Sequence, residues 1–227
     1  MFKLYLLVLA CLFLSACSPE QTGLAESGGF AGLPPGAEGI DLSHHNGRVD
    51  WDMLDQSTVD FLYLKATEGS DWKDPRFQDH WLQATRRGWH VGAYHFYRLC
   101  RPGAEQAANF IQSVEVRTGT LPPAVDLEYA HNCRPLDGPA RTLDELRIFL
   151  AALEAEYGAR PVLYTTPEFH ADWLDGQFQT YPVWVRGLDG PPATPHAIWQ
   201  YSMRGQVPGI DGPVDLNRVP EIPPAIR

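Results

Sequence analysis

The sequence predicts an α/β fold: an irregular, TIM-like (β/α) barrel of eight strands with about five helices, in the pattern (β/α)5(β)3. Three observations lead there. From residue 38 onward, short runs rich in β-branched and aromatic residues recur between turn-forming residues. The first five runs are separated by segments whose apolar residues repeat at helical spacing. The last three are joined by links too short for a crossover helix, so antiparallel neighbours are expected among them. A doubly wound open sheet is the alternative, but it keeps helices between all its parallel strands.

In chain order, strands are expected at GIDLS (39–43), FLYLKATE (61–68), VGAYHFY (91–97), PAVDLEY (123–129) and PVLYTT (161–166). PVWVRG (182–187), AIWQYS (197–202) and VDLNRV (214–219) complete the set. Helices are expected at PRFQDHWLQATRRG (75–88), AEQAANFIQSVEV (104–116) and RTLDELRIFLAALEAEYG (141–158). In the last of these, Leu143, Leu146, Leu150 and Leu153 form one apolar stripe. Shorter helices are expected at VDWDMLD (49–55) and PEFHADWLD (167–175).

The chain opens with MFKLYLLVLACLFLSAC, one lysine followed by an apolar run from Leu4 to Leu14 and then small residues. The run is short for a bilayer span and has the layout of an export signal. Leu14-Ser15-Ala16-Cys17 resembles a bacterial lipobox, which implies cleavage after residue 16 and lipidation of Cys17. Ser18 resembles the residue of lipoproteins sent to the outer membrane of Gram-negative bacteria. Residues 17–37, rich in Gly, Pro, Ser and Glu, read as the lipidated cysteine and a flexible tether. Residues 38–227 are then expected to be the folded domain, exported and anchored to a membrane through the lipid. With Cys11 lost in the signal and Cys17 acylated, Cys100 and Cys133 remain, and in an exported protein such a pair is most simply a disulfide.

A formal net charge of −10 and a pI of about 5.2, with no basic cluster, argue against a nucleic-acid partner. Hydrophobic content of 44% and seven tryptophans supply a core. No cofactor motif is present, and a monomer is expected. His44, His45, His95 and His131 lie near strand ends without HxxE or HExxH spacing, so they read as hydrogen-bonding residues and no metal is expected.

The chemistry-bearing residues are acids. In a parallel barrel, catalytic groups sit at the C-terminal strand ends. Asp41 of the first strand, Asp126 and Glu128 of the fourth and Asp215 of the eighth fall near such ends. Asp126 and Glu128 flank a single residue, so in a strand both point the same way while Leu127 points the other. Four carboxylates at one mouth would repel and desolvate one another at a cost that a function has to justify. Paired acids in a cleft are the usual equipment for glycoside hydrolysis. Tyr63, Tyr94, Tyr164, Trp184, Trp199 and Tyr201 lie in strands and offer sugar-stacking faces, Tyr94 and Tyr164 foremost.

The motifs GIDLSHHNGRVDW, YLKATEG, GAYHFY, AVDLEY, PVLYTT, IWQYS and VDLN occur in an order that resembles glycoside hydrolase family 25, the lysozymes that cleave between N-acetylmuramic acid and N-acetylglucosamine. The resemblance spans about residues 38–220 and implies a barrel of eight strands and five helices. It implies Glu128 as general acid and Asp126 as the assisting carboxylate, with Asp41 and Asp215 lining the site. Tyr94 and Tyr164 match active-site tyrosines, and Trp184 matches an aromatic of the binding groove. The HHN after DLS departs from the many members that carry other residues there. The resemblance thus implies a muramidase acting on peptidoglycan glycan strands. A non-catalytic wall-binding lipoprotein and a glycosidase for another N-acetylated polymer are the alternatives. Direct attack by Asp126, inversion, and attack by the substrate's own acetamide all stay open, the last with net retention being preferred.

Overall fold

The structure, a computed structural model, describes residues 30–135 and 138–221. The signal, Cys17 and the tether up to residue 29 lie outside the described residues.

Among the described residues nine strands form: β1 (Glu38–Leu42), β2 (Phe61–Glu68), β3 (Trp72–Lys73), β4 (His90–Phe96), β5 (Ala124–Leu127), β6 (Val162–Thr165), β7 (Val183–Arg186), β8 (Ile198–Gly205) and β9 (Val214–Arg218). Eight of them run β1-β9-β8-β7-β6-β5-β4-β2, and a β1–β2 pairing closes the ring into a barrel. β3, too short to leave a period in the sequence, folds back antiparallel onto β2 at the mouth. Seven barrel strands are mutually parallel; β9 alone runs antiparallel, to both β8 and β1.

The antiparallel neighbours expected among the last three strands are β8 and β9, whereas β7 and β8 are parallel without a helix between them. Their link, 187–197, contains Pro191, Pro192 and Pro195, and proline's fixed φ favours an extended path for the crossover. Asp215 lies at the start of β9, not at a C-terminal strand end. It still reaches the shared mouth, because β9 runs the opposite way.

Four helices are described: α1 (Phe77–Arg86), α2 (Gly103–Ser113), α3 (Pro139–Tyr157) and α4 (Pro167–Phe169), the last passing into a π-helical turn at His170–Leu174. α3 buries Leu146, Phe149, Leu150 and Leu153 and ends at Gly158, whose φ of 65° suits a residue without Cβ. The helix expected at 49–55 does not form. Val49, Trp51 and Leu54 are buried, but their spacing lies on no single helical face. Val49 bridges to Ile210, and Asp50 N–H donates to Gly209 O at 2.7 Å, so the start of the segment is drawn to a distant loop, and within it Met53 N–H donates to Asp50 O in a turn.

Strand alternation separates two apolar layers. Outward residues such as Leu62, Leu64, Val125 and Leu127 pack under the helices with Phe110 and Phe149. Inward residues Phe61, Tyr63, Ala124, Val162, Trp184 and Ile198 fill the barrel floor. Two glycines let aromatic rings into that small interior. A Cβ on Gly39 would lie 2.3 Å from the Phe61 ring, and one on Gly92 would lie 2.2 Å from that of Tyr63. Leu33 and Ala37 join the same layer, and Phe30 and Leu33 exchange backbone hydrogen bonds. Residues 30–37 are thus packed on the barrel, not part of a tether, because Leu33 and Ala37 cover its floor.

Candidate active site

β5 answers why an apolar strand carries two acids. Ala124 faces the interior, Val125 and Leu127 face the helices, and the alternation turns Asp126 inward. Glu128, the next residue of that parity, follows immediately after the strand. Both line a cavity of about 440 Å³ at the barrel mouth, together with Asp41, Asp215, Tyr94, Tyr164 and Trp184. The four predicted acids therefore converge.

Asp41 and Asp215 are register partners across the antiparallel β1–β9 ladder. Asp41 Oδ2 accepts hydrogen bonds from Asn217 Nδ2 (2.9 Å) and Gln200 Nε2 (3.1 Å). Each amide is oriented from its other end: Trp184 Nε1 donates to Asn217 Oδ1 at 2.8 Å, and the Tyr164 hydroxyl donates to Gln200 Oε1 at 2.8 Å. Burial holds the Asp41 carboxyl well above the ordinary range, the charge of Asp215 adds to this, and the two amides oppose it. Asp215 is pushed up to about 6 by burial, against the pull of Arg186.

Glu128 meets Arg186, whose Nη1 lies 3.3 Å from Oε2. Burial raises the Glu128 carboxyl, while the guanidinium, His131 and Lys65 favour its charge. Asp126 is raised well above its usual value, first by burial and then by the charge of Glu128. Its Oδ1 is buried and has no hydrogen-bond partner. A buried acceptor left open is costly unless a ligand supplies the donor. Lys65 sits against the rings of Trp72 and Phe96, at 5.0 and 4.9 Å from their centroids, and pairs with Glu68 at 2.8 Å. Arg98 binds Glu68 from the other side and also donates to His131 O at 2.7 Å. Glu68 thus supports the rim, as a loop-holding residue would.

Three predicted binding aromatics do not reach the cavity. Tyr63 faces inward but lies in the floor, fully buried, with its hydroxyl donating to Pro122 O at 3.0 Å. Lys65, two residues further up the strand, occupies the mouth instead. Trp199 and Tyr201 flank the inward Gln200 and so point out of the barrel. Trp199 donates to Gly187 O and Tyr201 to Glu38 Oε2, both at 2.8 Å. Sequence reasoning also passed over Arg186, Gln200 and Asn217. Their signal was a polar residue at the inward parity of an apolar strand. Among the histidines, His95 is buried between Thr67 Oγ1 (2.7 Å) and Gln106 Oε1 (3.1 Å), and His44 Nδ1 contacts Asp74 at 2.8 Å.

The loops after β4 and β5 are locked together beside Glu128. Cys100 and Cys133 form a disulfide with Cα atoms 5.7 Å apart. Next to it, Asn132 Nδ2 donates to Tyr97 O (2.8 Å) and Glu128 O (3.0 Å). The arrangement is a cleft in which burial raises two adjacent carboxyls, Asp126 and Glu128. Such a site can donate a proton to a leaving oxygen and hold a developing positive charge.

Comparison with known proteins agrees with this chemistry. Residues 40–210 match the family described as Glycosyl hydrolases family 25. Lysozyme M1 of Streptomyces globisporus is 32% identical over 201 residues, covering 81% of this chain and 67% of that protein. The uncharacterised protein YegX of Escherichia coli K12 is 33% identical over 189 residues, covering 79% of this chain and 68% of YegX. Among solved structures, a family 25 glycosyl hydrolase from Bacillus anthracis superimposes with a TM-score of 0.75 at 29% identity, over 81% of this chain and 88% of that one. A bacterial lysozyme from Streptomyces coelicolor gives 0.74 at 31%, over 81% and 92%.

Proposed function

Because the chain belongs to glycosyl hydrolases family 25, and is thus a glycoside hydrolase, we propose that it is a muramidase cutting the β-1,4 bond from N-acetylmuramic acid to N-acetylglucosamine in peptidoglycan. The observation that carries the mechanism is that Glu128 and Asp126 line one cavity, with the buried Oδ1 of Asp126 lacking a hydrogen-bond partner. Glu128, protonated, gives its proton to the glycosidic oxygen as the bond to the anomeric carbon breaks. Asp126 accepts a hydrogen bond from the N–H of the acetamide at C2, which aims the acetamide carbonyl oxygen at the anomeric carbon. The cyclic intermediate that forms is opened by water, with ionised Glu128 taking the water's proton. Two inversions at one carbon give net retention. The pair needs one proton between its two carboxyls, and their mutual repulsion favours that singly protonated state.

Tyr94 and Tyr164 stay neutral, raised by burial, and serve as hydroxyl donors and ring faces along the groove. Asp41 and Asp215 complete the wall and tune the charge of the working pair.

Digestion of purified peptidoglycan followed by mass spectrometry tests the bond assignment. Fragments with reducing N-acetylmuramic acid are expected, and reducing N-acetylglucosamine contradicts it. Proton NMR of a soluble substrate tests the stereochemistry: the β anomer appears first, and an early α anomer rules out retention.

The reading of Leu14-Ser15-Ala16-Cys17 as a lipobox adds that the barrel works anchored to a bacterial membrane, the outer one if the source is Gram-negative. Labelling with radioactive palmitate, lost in Cys17→Ser, is the expected result; label retained in that variant contradicts it.

A further inference from the structure

Among the described residues, six carboxylates and two permanent cations, Lys65 and Arg186, line the cleft. The two cations are placed differently. Lys65 is occupied, by Glu68 at 2.8 Å and by the faces of two rings. Arg186 is not. Its Nη1 makes a long 3.3 Å contact with Glu128 and a 3.8 Å contact with Met203 Sδ, and its Nε and Nη2 donate to nothing among the described residues. The side chain is 23% exposed, at the inner wall of the cavity. A guanidinium carries five donors in a planar fork that fits a carboxylate. Here, part of that fork faces the space where the substrate would lie.

We infer that Arg186 is a specificity residue that grips a carboxylate on the substrate beside the bond being cut. The inference rests on the muramidase reading above. On a muramyl ring, the substituent next to the acetamide-bearing carbon is the lactyl ether. With the acetamide at Asp126 and the leaving oxygen at Glu128, an anion held by Arg186 lies within one side chain's reach of both. The lactyl carboxyl is charged only when no peptide is attached to it; in a peptide-bearing strand it is a neutral amide. The preferred substrate is therefore a stripped glycan strand, and an amide hydrolysis that frees the lactyl carboxyl precedes this enzyme. The acidic cleft would repel such a strand without a local cation, which gives Arg186 its role.

The test uses the full chain in detergent and two forms of one peptide-free glycan, one with free lactyl carboxylates and one with those carboxyls converted to methylamides. The readout is the ratio of kcat/KM values, because any effect of Arg186 on Glu128 itself enters both substrates and cancels. The wild-type ratio is expected to favour the carboxylate form by about tenfold or more, the scale of a charge-assisted hydrogen bond. Arg186→Gln brings the ratio to about one, and Arg186→Lys restores part of it. Thermal melting of each variant separates loss of fold from loss of discrimination. A wild-type ratio near one overturns the inference, as does a ratio that survives in Arg186→Gln. If neither glycan is cut, the muramidase reading itself fails and the inference falls with it, an outcome distinct from equal cleavage of both.

Discussion

Asp41 and Asp215 face each other as register partners on the adjacent barrel strands β1 and β9. They are brought together because β9 alone runs antiparallel, which puts its second residue level with the fourth of β1. Two carboxyls so placed cannot both ionise cheaply, and burial pushes Asp215 up to about 6.

That shift makes a stability prediction. A carboxyl with a raised folded-state value holds its proton more tightly in the folded protein. It favours folding below the ordinary carboxylate range, and this contribution is lost as pH rises through about 6. Asp215→Asn removes the ionisation, so the variant gains on the wild type between about pH 4 and 6 and keeps the gain above. At most about 3 kcal/mol is expected, from roughly two units at 1.36 kcal/mol each. Urea unfolding at pH 4 and pH 7.5 checks it: a variant destabilised more at the higher pH contradicts the assignment.

Tyr164→Phe removes the hydroxyl that fixes Gln200 and so frees the amide that donates to Asp41. The loss of one hydrogen bond of about 1 kcal/mol corresponds to roughly a fivefold fall in kcat, with the ring packing kept. Steady-state rates and a melting curve on the same sample measure both.

Gly92→Ala sets a methyl 2.2 Å from the Tyr63 ring, which is buried and hydrogen-bonded and has nowhere to go. Overpacking of this kind costs about 1–3 kcal/mol. A melting temperature equal to that of wild type would show that the floor can yield.

Replacing Cys100 and Cys133 by serine opens a loop closed at a sequence separation of 33 residues. About 3–4 kcal/mol of stability is expected to be lost in the chain-entropy view. Chemical denaturation of the oxidised protein and of the double variant measures this directly.

Much of this was legible in the strand period. Asp126 and Glu128 share a parity, and the structure puts that parity inside. The same rule sorts Gln200 inward and Trp199 and Tyr201 outward, but an isolated strand does not say which of its faces meets the helices, so aromatics on both faces looked alike. Depth was hidden as well: Tyr63 and Lys65 point the same way, and only the barrel's height separates floor from mouth. The stretch from Val49 to Asp55 carries apolar residues enough for a helix, yet Val49 and Asp50 pair with a loop more than 150 residues away, a pairing no local pattern encodes. Antiparallel β9 was foreseen only as a class of neighbour, because short links permit either direction.

The central claim is that Glu128 supplies the proton that breaks the muramyl bond. It is tested most directly by the rate at which reducing N-acetylmuramic acid ends appear in purified peptidoglycan, compared between the wild type and a folded Glu128→Gln. Loss of a general acid costs about 10²- to 10⁴-fold, so the variant is expected to fall by at least a hundredfold. A Glu128→Gln variant that releases these ends at the wild-type rate contradicts the account.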